Sequence, residues 1–200
     1  MPGILAIDQA TVVGTAWCVP GKEPAWESKR MGKTGAWEGT VFWEFRQYLL
    51  HKIGVLNPDH LIYETPFLPR PDAKPGAPVQ NAEVLRRAYG LVAHITELAE
   101  EFGIDICDYD SQQFTKFFTG KGRFTGDTVA DRRAAKKRAT IAACAARGWR
   151  ASNDEADALA LLMYAEYQFY PREALSRRMV LRRPEGPLFA NRLEGLVLKT

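Results

Sequence analysis

The sequence predicts an α/β domain with a mixed five-stranded sheet, three antiparallel strands and then parallel ones, flanked by helices. Two observations support this fold class. Three strand-like segments follow one another at short intervals within residues 3–33, which is typical of an antiparallel meander. From residue 37 onward, apolar residues repeat at helical spacing and alternate with short strand-like runs, which indicates parallel strands joined by helical crossovers.

The predicted meander occupies the N-terminal part of the chain. Residues 3–8 form a short apolar run, rich in strand formers, that ends at Asp8. Residues 12–19 place β-favouring residues around Gly14, and residues 26–33 alternate roughly between polar and apolar side chains. The connections between these segments are short enough for hairpins.

Helices and strands alternate in the rest of the chain. A helix is predicted from Trp37 to Gly54, with an apolar residue at every fourth position from Val41. A strand at 60–64 and a proline-rich loop at 68–79 follow. The remaining predicted elements are a helix at 81–102, a strand at 104–109 and helices at 111–118, 131–147 and 153–170, with a glycine-bearing basic loop at 121–129.

The periodic pattern weakens after residue 171. We therefore expect one folded domain over residues 1–170 and a basic C-terminal extension over residues 171–200. Helical crossovers require the first, fourth and fifth strands of the domain to run parallel.

Composition excludes several classes of protein. Apolar residues make up 46% of the chain, which is enough for a hydrophobic core. Cys18, Cys107 and Cys144 are spaced too widely for a zinc site or a disulfide framework and suit a reducing compartment. The N-terminus lacks the pattern of a signal peptide, and no apolar run approaches the about 20 residues of a membrane span. We expect a cytoplasmic protein without membrane contact.

Positive charge is concentrated in two segments, although the formal net charge is only +3. Residues 121–138 contain seven lysines and arginines but two aspartates, and residues 172–183 contain five arginines. Such blocks are often solvated surfaces, and they also suit the phosphates of a nucleic acid.

Four carboxylates occupy positions that suggest a site. Asp8 and Glu64 end two predicted parallel strands, and open α/β sheets bind ligands outside the carboxyl ends of such strands. Asp154 and Asp157 are one helical turn apart and project from the same helix face. Each acid alone has a simpler interpretation. Asp8 could cap a turn, and Glu64 could pair with an arginine. Asn153 or Asp154 could be the N-cap of the last helix, with Asp157 favouring the positive end of its dipole.

If the four acids converge, they need a cation. Two like charges about 4 Å apart repel by about 4 kcal/mol at an effective dielectric of about 20, and a domain has only about 5–15 kcal/mol of stability. Oxygen ligands without His or Cys suit Mg²⁺ or Mn²⁺. Two such ions, about 3.5–4 Å apart, can activate water on one side of a phosphodiester and stabilise the leaving oxygen on the other.

Three segments resemble motifs of the RuvC-type Holliday junction resolvases, crossover junction endodeoxyribonucleases of the ribonuclease H-like superfamily. Residues 4–8, together with Gly14, resemble the first strand and hairpin of that family. Tyr-Glu-Thr-Pro-Phe at 63–67 resembles its second motif, and Asp-Glu-Ala-Asp-Ala-Leu-Ala at 154–160 resembles its closing helix. The likeness runs from about residue 3 to residue 168.

The resemblance implies a ribonuclease H-like fold and Mg²⁺-dependent resolution of four-way DNA junctions by paired symmetric nicks, leaving 5′-phosphate and 3′-hydroxyl ends. It implies a location in the cytoplasm of a bacterial or phage-infected cell. It also implies a homodimer through the helix at 81–103, since two active sites related by a twofold axis match a twofold junction.

The resemblance also assigns roles to individual residues. Two Mg²⁺ ions, or Mn²⁺ in their place, would be held by Asp8, Glu64, Asp154 and Asp157. Lys137 would be the lysine near the scissile phosphate, with Lys136 as the competing assignment, and Phe67 would stack on bases at the junction. Core packing for Phe67 and a solvated helix end for the lysines are the simpler alternatives. Candidates for contacts with the DNA backbone are Arg70, Lys74, Lys121, Arg123, Arg132, Arg133 and Lys136.

Two other functions stay open. One is a different ribonuclease H-like nuclease that acts on forks, flaps or RNA–DNA hybrids. The other is a non-catalytic protein that binds branched DNA, against which the four acids argue, because a pure binder gains nothing from negative charge facing phosphate. Gln9 and Ala10 stand where the family usually has Pro-Gly, and this difference leaves junction selectivity open.

Overall fold

The computed structural model describes residues 3–66 and 82–176. Within these ranges the chain forms, in order, β1 (Ile4–Asp8), β2 (Val12–Cys18), β3 (Ala25–Arg30), α1 (Glu38–Leu56), β4 (His60–Glu64), α2 (Ala82–Phe102), β5 (Asp105–Tyr109), α3 (Ser111–Thr119), α4 (Val129–Ala145), α5 (Asn153–Phe169) and α6 (Pro171–Ser176).

The five strands form one mixed sheet in the order β3-β2-β1-β4-β5. β1 pairs antiparallel with β2, and β2 pairs antiparallel with β3. β4 lies parallel to β1 on one side and to β5 on the other. The predicted mixed five-stranded sheet is therefore confirmed, and β1 and β4 place their carboxyl ends side by side.

Helices cover both faces of the sheet, and successive side chains of β1 point alternately to the two faces. Leu5 and Ile7 belong to a core with α1 and α2, whereas Ile4 and Ala6 belong to a second core with α3, α4 and α5. All four side chains are at most 1% exposed. α5 is buried deeply because alanines at several of its positions let it lie close to the sheet.

Several bounds differ from the sequence prediction, and two of the differences have a clear basis in the structure. α4 begins at Val129 instead of Asp131, because Thr128 and Asp131 form a capping box that ends the preceding loop two residues earlier. A short helix, α6, occupies residues 171–176, where the sequence indicated only a weakly patterned tail. Among the described residues, none of the helices combines the length and apolar character that a membrane span requires.

A polar network fastens α1 to β2 and β3. The Tyr48 hydroxyl donates to Glu27 Oε1 at 2.7 Å and lies 2.7 Å from Thr15 Oγ1. Lys52 Nζ lies 3.0 Å from Glu27 Oε2 and 4.0 Å from the ring centroid of Trp17. Lys52 is only 8% exposed, so Glu27 is the partner that makes burial of its charge tolerable.

We predict that Glu27→Gln destabilises the protein at pH 7. Burial raises the pKa of Glu27, but hydrogen bonds from Tyr48 and Lys52 outweigh it and hold this pKa below the ordinary value. Such a carboxylate contributes stability above its unfolded pKa, and the contribution is lost as pH falls through the folded pKa. Urea unfolding should show a loss of about 1–3 kcal/mol at pH 7 that shrinks as pH falls from about 5 to about 3.

The matched control is Glu23→Gln, at an exposed position in the connection between β2 and β3. The free energy of unfolding of this control should equal that of the wild type at pH 7 and at the lower pH. A stability difference for Glu27→Gln that does not change with pH would contradict the assigned role of the carboxylate.

Candidate active site

Asp8 and Glu64 are the last residues of two adjacent parallel strands, β1 and β4. The parallel register pairs Ile7 with Tyr63, so the next residue of each strand is one of the two acids. Gln9 strengthens this juxtaposition, because its side-chain amide donates to the Glu64 carbonyl and accepts from the Glu64 N–H at 3.2 Å. Both ends of the Gln9 amide are thus used to hold the ends of β1 and β4 together.

Gly14 brings the distant pair of aspartates to the same edge. Gly14 pairs with Asp8 in the hairpin register, and a Cβ atom at Gly14 would overlap the carbonyl oxygen of Asp154. The first turn of α5 therefore lies directly against the hairpin beside Asp8. Asp157, one turn further along α5, has a buried Oδ1 atom without a hydrogen-bond partner in the described part of the structure.

The capping of α5 leaves both aspartates available. Ser152 is the N-cap, and it forms a capping box with Glu155. The Glu155 carboxylate accepts from the Ser152 N–H at 2.7 Å and from the Ser28 hydroxyl at 3.0 Å. The alternative in which Asp154 caps the helix is therefore wrong, since residues on either side of it perform that task.

Three of the four acids have raised pKa values, through desolvation first and mutual repulsion second. Burial, followed by repulsion from Asp157, Glu64 and Asp154, raises the pKa of Asp8 well above its usual range. Burial also raises the pKa of Glu64, and the nearby Lys136 only partly opposes this rise. The structure thus brings the four predicted acids into electrostatic contact at one edge of the sheet.

Burial likewise raises the pKa of Asp157, against the opposing effects of Lys136 and then Lys137. Lys136 has the stronger electrostatic influence on the acids, because it opposes the rise in the pKa of Asp8, Glu64 and Asp157 and does so more strongly than Lys137 at Asp157. Lys136 is half-buried with its Nζ 5.5 Å from the Phe114 ring centroid, and Lys137 is exposed. The electrostatic influence of Lys136 on the acids therefore favours Lys136 over Lys137 as the lysine nearer the candidate site.

The other predicted DNA contacts fall into two groups. Lys121 and Arg123 are exposed between α3 and α4, and Arg132 and Arg133 are exposed on the first turns of α4. Arg132 also donates to the Gly126 carbonyl at 3.0 Å, which braces the loop before α4. Outside the described residues lie Phe67, Arg70 and Lys74.

The donor set fits a hard divalent cation. All four candidate ligands supply carboxylate oxygen, and the unpartnered Oδ1 of Asp157 is a buried acceptor that a cation would satisfy. Across residues 3–66 and 82–176, no three His, Cys, Asp or Glu side chains are grouped tightly enough to coordinate one ion as they stand. Mutual repulsion of the carboxylates opposes such grouping, and a divalent cation would reverse the sign of that interaction.

Sequence reasoning missed three contributors to this edge. Gln9 stood out only as a departure from the family pattern. Ser111, at the start of α3, lowers the pKa of Glu64. Arg87 on α2 donates to Thr11 Oγ1 at 3.1 Å in the turn after Asp8. Position next to Asp8 was the only signal for Gln9, and no sequence pattern linked Ser111 or Arg87 to the acids.

Solved structures share this fold. T. thermophilus RuvC in complex with a Holliday junction substrate superposes with a TM-score of 0.59 at 13% identity, over 84% of this chain and 95% of that chain. Thermus thermophilus RuvC gives 0.56 at 16% identity, over 83% and 95%. The yeast mitochondrial Holliday junction resolvase Ydc2 gives 0.51 at 12% identity, over 87% and 82%. The chain matches no protein-family model and no curated protein sequence.

These likenesses establish the class of fold. The sheet order, the flanking helices and the superpositions define a ribonuclease H-like fold. Within that class, the fold is RuvC-like over most of the chain.

We predict that Gly14→Ala disrupts the edge at which the acids meet. The added methyl group has no room beside the Asp154 carbonyl, so α5 must shift away from β1 and β2. Overpacking of this kind costs about 1–3 kcal/mol, which urea unfolding would measure.

Gly54→Ala is the matched control. Gly54 lies within α1, and a Cβ atom there would meet nothing within 4 Å. Because alanine is the better helix former, this variant should gain about 0.5–1 kcal/mol. Equal stability changes in the two variants would show that the close approach at Gly14 does not matter.

Proposed function

We propose that this chain is a divalent-metal-dependent endodeoxyribonuclease that resolves four-way junctions and related branched DNA by paired nicks. The observation that carries the proposal is that Glu64, Asp154 and Asp157 lie close enough to Asp8, at the carboxyl edge of a RuvC-like sheet, to raise its pKa together with burial. The T. thermophilus RuvC structure is a complex with a Holliday junction substrate, which supports branched DNA as the substrate class.

Each residue of the proposed centre has a distinct task. The four acids would hold two Mg²⁺ ions, with Mn²⁺ as a substitute, and the bound ions would supply Lewis acidity to the attacking water and to the leaving 3′ oxygen. Gln9 holds the strands that carry Asp8 and Glu64 in register. The products would carry 5′-phosphate and 3′-hydroxyl ends.

Lys136 is the residue that we propose to face the scissile phosphate. It is half-buried on α4, and its positive charge opposes the rise in the pKa of Asp8, Glu64 and Asp157. A lysine so placed can neutralise charge that develops on the phosphate oxygens. Lys137 is exposed beside it and suits a contact with the neighbouring DNA backbone.

The proposed path of the DNA follows exposed basic residues beyond this centre. They are exposed on the α3–α4 loop and at the start of α4, and would bind the phosphates of the DNA backbone: Lys121, Arg123, Arg132 and Arg133. Backbone contacts from Arg70 and Lys74 and base stacking by Phe67 are further parts of the proposal.

A homodimer through α2 would place two such centres on one junction. α2 exposes Val84 (56%) and Phe102 (48%), which lie 18 residues and therefore five whole turns apart on the same side of the helix. Buried in an interface, these side chains would contribute the apolar contact that a dimer requires.

We predict that the protein nicks synthetic four-way junctions in Mg²⁺ or Mn²⁺, and that Asp8→Asn binds them without cutting. The panel should also contain forks, flaps, RNA–DNA hybrids and intact duplexes, with cleavage sites mapped on denaturing gels. If the protein cleaves RNA–DNA hybrids or flaps faster than four-way junctions, its activity is that of a different ribonuclease H-like nuclease. Equal cutting by Asp8→Asn and wild type would refute the metal assignment, and binding without any cutting by wild type would leave a DNA-binding protein.

The same assay separates the two lysines. Lys136→Ala should lose cleavage rate by about 100-fold or more, the cost of removing one group that stabilises transition-state charge, while its junction affinity changes little. Lys137→Ala is the adjacent control, and it should weaken binding more than it slows cleavage at saturating protein. A larger loss of rate for Lys137→Ala would return the role to Lys137.

A further inference from the structure

Trp37 presents a large aromatic surface to solvent immediately before α1. Its side chain is 81% exposed. The indole ring lies against Gly39, where a Cβ atom would come within 2.6 Å of ring carbon Cζ3. The missing side chain at Gly39 therefore lets the ring rest on the first turn of α1 while most of its surface stays free.

The position of Trp37 is the carboxyl edge of the sheet. β3 is antiparallel to β2 and β2 to β1, so β3 ends at the same edge as Asp8 and α1 starts from there. Glu38, the next residue after Trp37, accepts from Arg86 Nε at 2.7 Å, and Arg87 donates to Thr11 in the turn after Asp8. Glu38 and Thr11 are therefore both held by α2, which links the start of α1 with the turn after Asp8.

Two exposed cations stand in the segment that leads from β3 into this ring. The turn in which the Ala36 N–H donates to the Lys33 carbonyl at 2.9 Å ends directly before Trp37 and carries Lys33. Lys33 and Arg30 are exposed, and in the described part of the chain neither lies within ion-pair distance of a carboxylate. Glu38 is already neutralised by Arg86.

An exposed aromatic ring in a segment that also carries two exposed cations has the chemistry of a single-strand nucleic-acid contact. Bases without a pairing partner stack on aromatic rings, and lysine and arginine bind the adjoining phosphates. Unpaired cations in the same segment are less suited to apolar contact with another protein, since interface cores are depleted in charge.

We propose that Trp37 is a stacking platform for an unpaired base at the branch point of DNA, with Lys33 and Arg30 binding the flanking phosphates. The inference rests on the proposed function for its substrate class. It adds a contact surface on α1, on the opposite face of the sheet from α4, so that the DNA would be held on both sides of the carboxylates.

Trp43 supplies the matched control. It lies on the same helix, is 63% exposed, and is about 9 Å further from the carboxyl edge along the helix axis. The measurement is fluorescence anisotropy with a labelled four-way junction, a single-stranded oligonucleotide and an intact duplex. It uses the full chain in a buffer without divalent ions, so that no cleavage occurs.

Trp37→Ala should weaken binding of the junction and of the single strand by about 5- to 150-fold, the range for one base stacked on an aromatic side chain. Binding of the intact duplex should not change. Trp37→Phe should restore most of the loss, and Trp43→Ala should bind like the wild type. Lys33→Ala should reduce the slope of log affinity against log salt by about 1, whereas Trp37→Ala should leave this slope unchanged.

Two results would overturn the inference. One is equal affinity of wild type, Trp37→Ala and Trp43→Ala for the junction and the single strand. The other is a change in sedimentation from dimer to monomer in Trp37→Ala, which would make the ring an interface between copies. A separate cleavage assay of the wild type distinguishes this inference from the proposed function. If the wild type cuts junctions but Trp37→Ala binds them normally, only the stacking role of Trp37 is refuted. If Trp37→Ala weakens binding but the wild type does not cut, only the nuclease activity is refuted.

Discussion

The close approach of α5 to the β1–β2 hairpin is the contact on which the candidate site depends. It exists because Gly14 has no side chain where the Asp154 carbonyl lies. Through this contact, two aspartates near residue 155 join two acids at the ends of β1 and β4. Capping of α5 by Ser152 and Glu155 lets the helix start at this place without using Asp154 or Asp157.

The arrangement works against stability, and the rest of the fold compensates. Burial and mutual repulsion raise the pKa values of Asp8, Glu64 and Asp157, so the ionised cluster is unfavourable by itself. Two apolar cores on opposite faces of the sheet hold its strands in place. Local strain of this kind, supported by a well-packed surround, is typical of functional sites.

The sequence was sufficient to predict the fold class and the order of strands along the chain, because strand ends and helical periodicity are local properties. The predicted start of α4 was two residues too late. The glycine-bearing sequence before it indicated a loop up to residue 129, whereas the capping box of Thr128 and Asp131 starts the helix at Val129. The choice between Lys136 and Lys137 depends on the rotation of α4 about its axis, which only packing determines. The bonds of Gln9 to Glu64 join residues 55 positions apart and had no periodic signal.

Thermal unfolding with and without Mn²⁺ tests most directly whether the acids form one cation site. The wild type should be stabilised by the ion in proportion to the logarithm of its concentration, and Asp157→Asn should lose most of this effect. In a chelating buffer Asp157→Asn should be at least as stable as the wild type, because it removes one repelling charge. An equal stabilisation of both proteins by Mn²⁺ would contradict the account.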